Sequence, residues 1–290
     1  MSAKFSDPIF INCSNYNDFS KSDITVSAIS NLFFHVMFIR GLIPTPYDSL
    51  LQNENKKLSK LLDSTERVFF SLKNLVGDLF ANYNETNVSD KKFRFSIHVS
   101  IGPSINNPKE LYCLHFDIKD SFISSDGEST QLNRFLLKLK RSFIHKLIEH
   151  SFNTDHRYPP SQSNIFISML VPPLINNTNI TLSNDSLSEF VFRENFDFLN
   201  IINRIIKRKH SPKPIHIFFG ENIQELNNDQ VNNEIISKED TISEHDNYEV
   251  VSRVNEHIDE YINNLYSEKY INHISFIQRK GIKGLKLKSV

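Results

Sequence analysis

The sequence predicts an α+β fold in which three long helices pack on one mainly antiparallel sheet. Segments 93–101 and 111–118 alternate apolar and polar residues as half-buried strands do, and an Asn-Asn-Pro turn at 106–108 predicts that they form a hairpin. Three other segments carry apolar residues at helical spacing. No long linker separates these elements, which favours a single domain.

The three helices are predicted over 24–40, 57–82 and 129–152. Gly41 is expected to end the first, because glycine adopts the left-handed conformation that closes many helices. The third helix is apolar on more than one side. A helix with that pattern is either buried or offers a surface to a partner.

Further strands are predicted over 165–171, 190–198 and 214–219, and an extended basic tail over 274–287. Between these strands and the tail, segment 221–260 contains twelve acidic and two basic residues.

That segment has a net charge of −10, and because the chain as a whole has a net charge of −1, the other residues together carry +9. Its first part, 221–247, is predicted to be a disordered insertion. Residues 1–20 are predicted to be a flexible N-terminal segment, and 21–290 a single domain.

Composition argues against several classes of protein. A net charge of −1 disfavours a dedicated nucleic-acid binder. Two cysteines without a Cys-x-x-Cys motif exclude a disulfide scaffold and a cysteine-rich zinc module. We expect no signal peptide and no window near the about 18 apolar residues that span a bilayer. The expected compartments are the cytosol and the nucleus.

Two clusters contain residue types that metals and acid–base catalysts use. His115 and Asp117 share one face of a predicted strand, as either a metal pair or the outer face of the hairpin. His150, Asp155 and His156 follow the third helix, as ligands, an acid–base pair, or a helix-end cation with two loop residues.

A basic run follows the predicted strand 190–198. Its pattern is compatible with a nuclear import signal, a phosphate patch or a solvated surface. Its members are Arg204, Lys207, Arg208, Lys209 and Lys213. The sequence contains no glycine-rich phosphate loop, no nucleophile elbow and no His-Glu-x-x-His motif. We therefore expect a protein that is not an enzyme and has no cofactor.

Five short motifs occur in order along the chain at residues 35–50, 107–112, 143–152, 158–171 and 282–285. Together they resemble the comet family, the adaptors that bind Mad-two and silence the spindle checkpoint. Residues 35–50, HVMFIRGLIPTPYDSL, resemble the family's first helix and the extended turn after it. Residues 107–112 resemble its SPKEFY turn, 143–152 its third helix, 158–171 its next turn and strand, and 282–285 its terminal FKGF run.

The resemblance implies a HORMA-like fold with a C-terminal tail that closes over the sheet like a safety belt. It implies that the third helix docks on the closed conformer of a Mad-two-type protein. By position in the motif, Phe143 matches the family's interface aromatic, with Leu136, Leu139 and Arg141 beside it. Ile39 stands where vertebrate members have an interfacial glutamine. Helical spacing alone also allows Phe143 to be a core residue.

The family also recruits an AAA+ remodelling ATPase through a Phe-Arg-Pro-Lys strand. Here that strand reads Phe192, Arg193, Glu194 and Asn195, so the Pro-Lys pair is replaced. The resemblance thus predicts a non-catalytic adaptor in the nucleus and cytoplasm, associated with the spindle in mitosis, with no nucleic-acid or membrane partner. Two alternatives stay open: another HORMA protein whose belt traps a peptide, and a metal-dependent enzyme built on the two His/Asp clusters above.

Overall fold

A computed structural model describes residues 9–12, 21–46, 49, 56–84, 92–119, 129–153, 164–171, 181–193, 196–208, 213–220 and 274–283. The predicted acidic insertion lies outside these residues. In chain order the elements are β1 Ile9–Asn12, α1 Lys21–Ile39, α2 Lys56–Asn84, β2 Lys92–Gly102, β3 Glu110–Lys119, α3 Ser129–Asn153, β4 Asn164–Val171, β5 Phe190–Arg193, α4 Phe198–Lys207, β6 Ile215–Gly220, β7 Ile274–Gln278 and β8 Ile282–Lys283.

The strands form one mixed sheet in the order β1-β6-β3-β2-β4-β7-β5, with β8 also pairing β4. β2 and β3 pair antiparallel with Ile97 opposite Leu114, which confirms the predicted hairpin. Strand β6 runs parallel to both β1 and β3, whereas the other pairs are antiparallel.

One face of the sheet is covered by α1, α2 and α3, and the main core lies between them. Helix α1 packs against both α2 and α3. Three of the alternating residues of β2 that the sequence predicts to be buried have no exposed surface: Ile97, Val99 and Ile101. Full burial of each such side chain contributes about 1.5–3 kcal/mol. The α+β prediction is confirmed at this level.

The opposite face of the sheet is covered over β3 and β4 by α4, a helix that the sequence did not predict. The predicted strand 190–198 is wrong at its C-terminal end, because Phe198 begins this helix. The Asp197 carboxylate accepts a hydrogen bond from the Asn200 backbone N–H at 2.8 Å, as N-cap residues do. The residues of α4 that face the sheet follow helical spacing and contact a second apolar cluster on β3 and β4: Phe198, Ile201, Ile202 and Ile205.

Strand β1 lies inside the segment predicted to be flexible. Ile9 and Ile11 are buried, and β1 pairs in parallel with β6 through Ile9 opposite Ile217. The prediction is therefore wrong for these four residues, since a strand this short gives too few positions for its alternation to be read from sequence.

The expectation that no segment approaches the length and hydrophobicity of a membrane span is wrong for helix α1. Over Ser22–Ile39 it is long and apolar enough to cross a bilayer, and it is the one such helix among the described residues. Half of that window is buried within the protein. Core helices have the same composition, and the contacts of α1 with α2 and α3 identify it as one.

The tail pairs with the sheet along β4, as the predicted extended segment would. Four tail residues, 278–281, stand opposite two residues of β4, 166–167, so the ladder contains a bulge. The Gln278 side chain fills it: its Oε1 accepts from the Ile167 N–H at 2.8 Å and its Nε2 donates to the Lys280 carbonyl at 2.7 Å. Gly281 has no room for a Cβ, which would lie 2.6 Å from the Phe166 ring.

Candidate functional site

Phe143, the predicted anchor for a partner, is a core residue. Its exposed fraction is 0%, and its ring meets that of Phe219 on β6 edge-to-face, with centroids 5.6 Å apart. A ring with no exposed area cannot contact another protein while α3 stays on the sheet. The assignment of Phe143 to a partner interface is therefore corrected to the core reading that its spacing also allowed.

The neighbours predicted with Phe143 divide between core and surface. Leu139 is buried, and Leu136 is half-buried against the main core. Arg141 is exposed. Of the four α3 residues that the resemblance implied, Arg141 is exposed, Leu136 is half-buried, and Leu139 and Phe143 are buried.

The exposed side of α3 contains Arg134, Leu137, Lys138 and Arg141, which we call the α3 stripe. These residues stand at positions i, i+3, i+4 and i+7, so they form one row along the helix. Leu137 has 54% of its surface exposed, the largest exposed fraction among the apolar side chains described on α3. None of the ion pairs that join described residues includes a cation of the stripe.

Ile39, the other predicted contact, lies at the end of α1 with 45% of its surface exposed, next to the exposed Phe38. The helix ends in a Schellman motif: the N–H of Leu42 donates to the Met37 carbonyl, that of Gly41 donates to the Phe38 carbonyl, and Gly41 has a φ of 63°. Ile39 is therefore a surface residue, and its role as a partner contact stays a prediction.

A buried ion pair holds this end of α1 to β3. Arg40 contacts the Glu110 carboxylate through Nη2 at 2.9 Å and Nε at 3.0 Å, and both side chains are buried. The Tyr112 hydroxyl donates to the same carboxylate at 3.4 Å. Burial raises the pKa of Glu110, and the Arg40 guanidinium opposes that rise. Such a pair fixes the orientation of the turn that follows α1.

The strand predicted to contact an ATPase is β5, at the end of the sheet. Phe192, 45% exposed, and Arg193 are both on the surface, and the Phe192 ring lies 5.9 Å from that of Phe276 on β7. Among the described strands none pairs with the outer side of β5. Glu194 and Asn195 lie outside the described residues.

His115 does not lie on an outer face of the hairpin, as one interpretation held, because α4 covers that side of the sheet. It is buried, with Nδ1 2.8 Å from the Ser96 Oγ and Nε2 2.9 Å from Nδ1 of His216. The His98 ring stacks on Phe198 of α4 at 3.7 Å. Burial lowers the pKa of His115 well below its usual range, and lowers that of His216 to about 3. These imidazoles are neutral near pH 7.

The other predicted clusters are only partly within the described structure. Among the described side chains no group of three or more His, Cys, Asp or Glu residues is arranged to hold a metal ion. The side chains of Asp117 and His150, and residues 155–156, lie outside the described part.

The basic run divides between α4 and the segments after it. Arg204 and Lys207 are exposed on α4, and Lys213 is exposed before β6. Arg208 instead binds the hairpin turn, where Nη1 donates to the Pro108 carbonyl at 2.8 Å. Lys209 lies outside the described residues.

No protein-family model matches the chain, and a search of curated proteins finds no match.

Proposed function

We propose that this chain is a non-catalytic, HORMA-like adaptor that acts in the nucleus and cytoplasm. It binds the closed conformer of a Mad-two-type protein through α3 and presents it to an AAA+ remodelling ATPase, which silences the spindle checkpoint. The proposal starts from the ordered motifs that resemble the comet family. The observation that carries it is the α3 stripe.

The stripe supplies the surface that the proposal needs. Leu139 and Phe143 pack in the core, so a partner cannot reach α3 on the side where they lie. On the exposed side Leu137 stands among three cations, and an apolar centre within a polar rim is the arrangement that protein interfaces use. We therefore transfer the proposed contact from Phe143 to Leu137.

The alternative, a HORMA protein whose belt opens to trap a peptide, differs in the behaviour of the tail. Strand β7 lies between β4 and β5, and Gln278 satisfies the bulge that follows it. Both features support a tail that stays closed. A closed tail predicts one set of amide signals in solution, whereas an opening belt predicts two slowly exchanging sets and protection that depends on added peptide.

The test is a binding titration with a Mad-two-type protein held in its closed form. Leu137→Asp places a charge at the centre of the α3 stripe and is expected to weaken binding about tenfold or more, as loss of a central contact does. Phe70→Asp is the matched control, because Phe70 is an exposed apolar residue on a different helix, α2. Equal affinity for wild type and Leu137→Asp would exclude the stripe as the contact.

The ATPase part of the proposal is tested separately at β5. Phe192→Ala should reduce co-purification with the ATPase while leaving the affinity for the closed Mad-two-type protein unchanged. The opposite pattern, in which binding of the Mad-two-type protein falls and co-purification persists, would show that the two contacts have been assigned to the wrong elements.

A further inference from the structure

The α3 stripe has a charge pattern as well as an apolar residue. Arg134, Lys138 and Arg141 are exposed and carry no ionic partner among the described residues. With a rise of 1.5 Å per residue, Lys138 lies about 6 Å and Arg141 about 10 Å along the helix axis from Arg134. Leu137 lies between Arg134 and Lys138 along the helix. The surface therefore offers three positive charges in a line beside one exposed apolar side chain.

We infer that the α3 stripe binds an acidic surface of its protein partner, with carboxylates spaced along the row of cations and an apolar pocket that takes Leu137. This inference rests on the proposed function, and it specifies the chemistry of the partner. Complementary charge accelerates encounter and fixes register more than it adds affinity, whereas a buried apolar anchor adds affinity. The stripe combines the two.

The exposed leucine favours a protein over a nucleic acid as the occupant. A phosphate backbone is recognised by cations and has no pocket for an aliphatic side chain. The cations of the stripe are also too few for a polyanion groove, and the long stem of Lys138 can cover apolar surface on a partner while its charge stays hydrated.

The test measures association rates with the closed Mad-two-type protein at low and high salt. Lys138→Glu is expected to slow association about tenfold at low ionic strength, and the difference from wild type should shrink near 1 M salt, where charges are screened beyond about 3 Å. Lys60→Glu is the matched control, because Lys60 is an exposed cation on α2 and the change in net charge is identical. The control should stay within about twofold of wild type.

The possible outcomes separate this inference from the proposed function. If wild type does not bind the closed protein, both are overturned. If wild type binds but Lys138→Glu and Lys60→Glu behave alike, the acidic surface is excluded while the adaptor function stands. Displacement of the partner by duplex DNA would instead assign the stripe to polyanions and overturn the inference.

A last variant tests whether the chain itself provides the acidic occupant. In it, the twelve acidic residues of segment 221–260 are replaced by their amides. Unchanged association supports an external acidic partner. Faster association would identify this segment as the ligand of the stripe and overturn the inference.

Discussion

Replacing Phe143 by alanine should destabilise the protein rather than specifically remove a partner contact. The ring is fully buried and packs edge-to-face on Phe219, so its removal opens a cavity between α3 and the sheet. Phe→Ala changes in well-packed cores cost about 3–5 kcal/mol of unfolding free energy. That amount is a large fraction of the about 5–15 kcal/mol that stabilises a typical protein.

The assay is urea denaturation followed by circular dichroism, which reports the helices directly and suits a chain without tryptophan. Phe70→Ala is the control, since it makes the same chemical change at a ring with 57% of its surface exposed. The control should shift the unfolding free energy by no more than about 0.5 kcal/mol. The comparison therefore isolates burial from the identity of the side chain.

One result would refute this reasoning. If Phe143→Ala were as stable as Phe70→Ala, with an unchanged denaturant slope, the ring could not be part of the core. Loss of partner binding by such a stable variant would return Phe143 to the interface. A destabilised variant that still binds when folded would confirm the assignment to the core.

Three further predictions follow from buried groups and from glycines. His115 and His216 have lowered pKa values in the folded protein, so the unfolded chain binds more protons than the folded chain does. The unfolding free energy should therefore fall as the pH drops from about 6.5 towards about 3. Urea titrations at several pH values check this. Arg40→Met leaves a buried carboxylate unpaired and should cost about 3–5 kcal/mol by the same assay. Gly77→Ala, with open space in α2, should raise the thermal midpoint, whereas Gly102→Ala should lower it because its Cβ would lie 2.9 Å from backbone atoms.

The elements predicted correctly have long and regular patterns. The alternation on β2 extends over much of its length, and the apolar spacing of α2 repeats over several turns, so both are visible without tertiary information. Helix α4 has the same kind of spacing in Phe198, Ile201, Ile202 and Ile205 and an N-cap at Asp197. Its isoleucines are common in strands and can equally be buried on a helix, so only their helical spacing distinguishes a helix from a strand here.

The candidate site was harder to predict because it depends on which side of a helix faces the sheet. On α3, Leu136, Leu137, Leu139 and Phe143 all have apolar side chains, and the wide apolar arc allows several orientations. Contact with Phe219 on a distant strand decides among them and leaves Leu137 outside. The burial of His115 likewise depends on α4, which lies much later in the sequence.

The position of β7 inside the sheet links two regions that the proposed function treats separately. Among the described strands β5 is held only by β7, so removal of the tail from β4 would also release β5. A molecule that binds β5 only while β5 is paired with β7 must therefore stabilise the closed tail. Because this coupling is reciprocal, closure of the tail must strengthen the binding of that molecule by the same free energy. Truncation before Ile274 should thus abolish contacts made at Phe192, although the two residues are far apart in sequence.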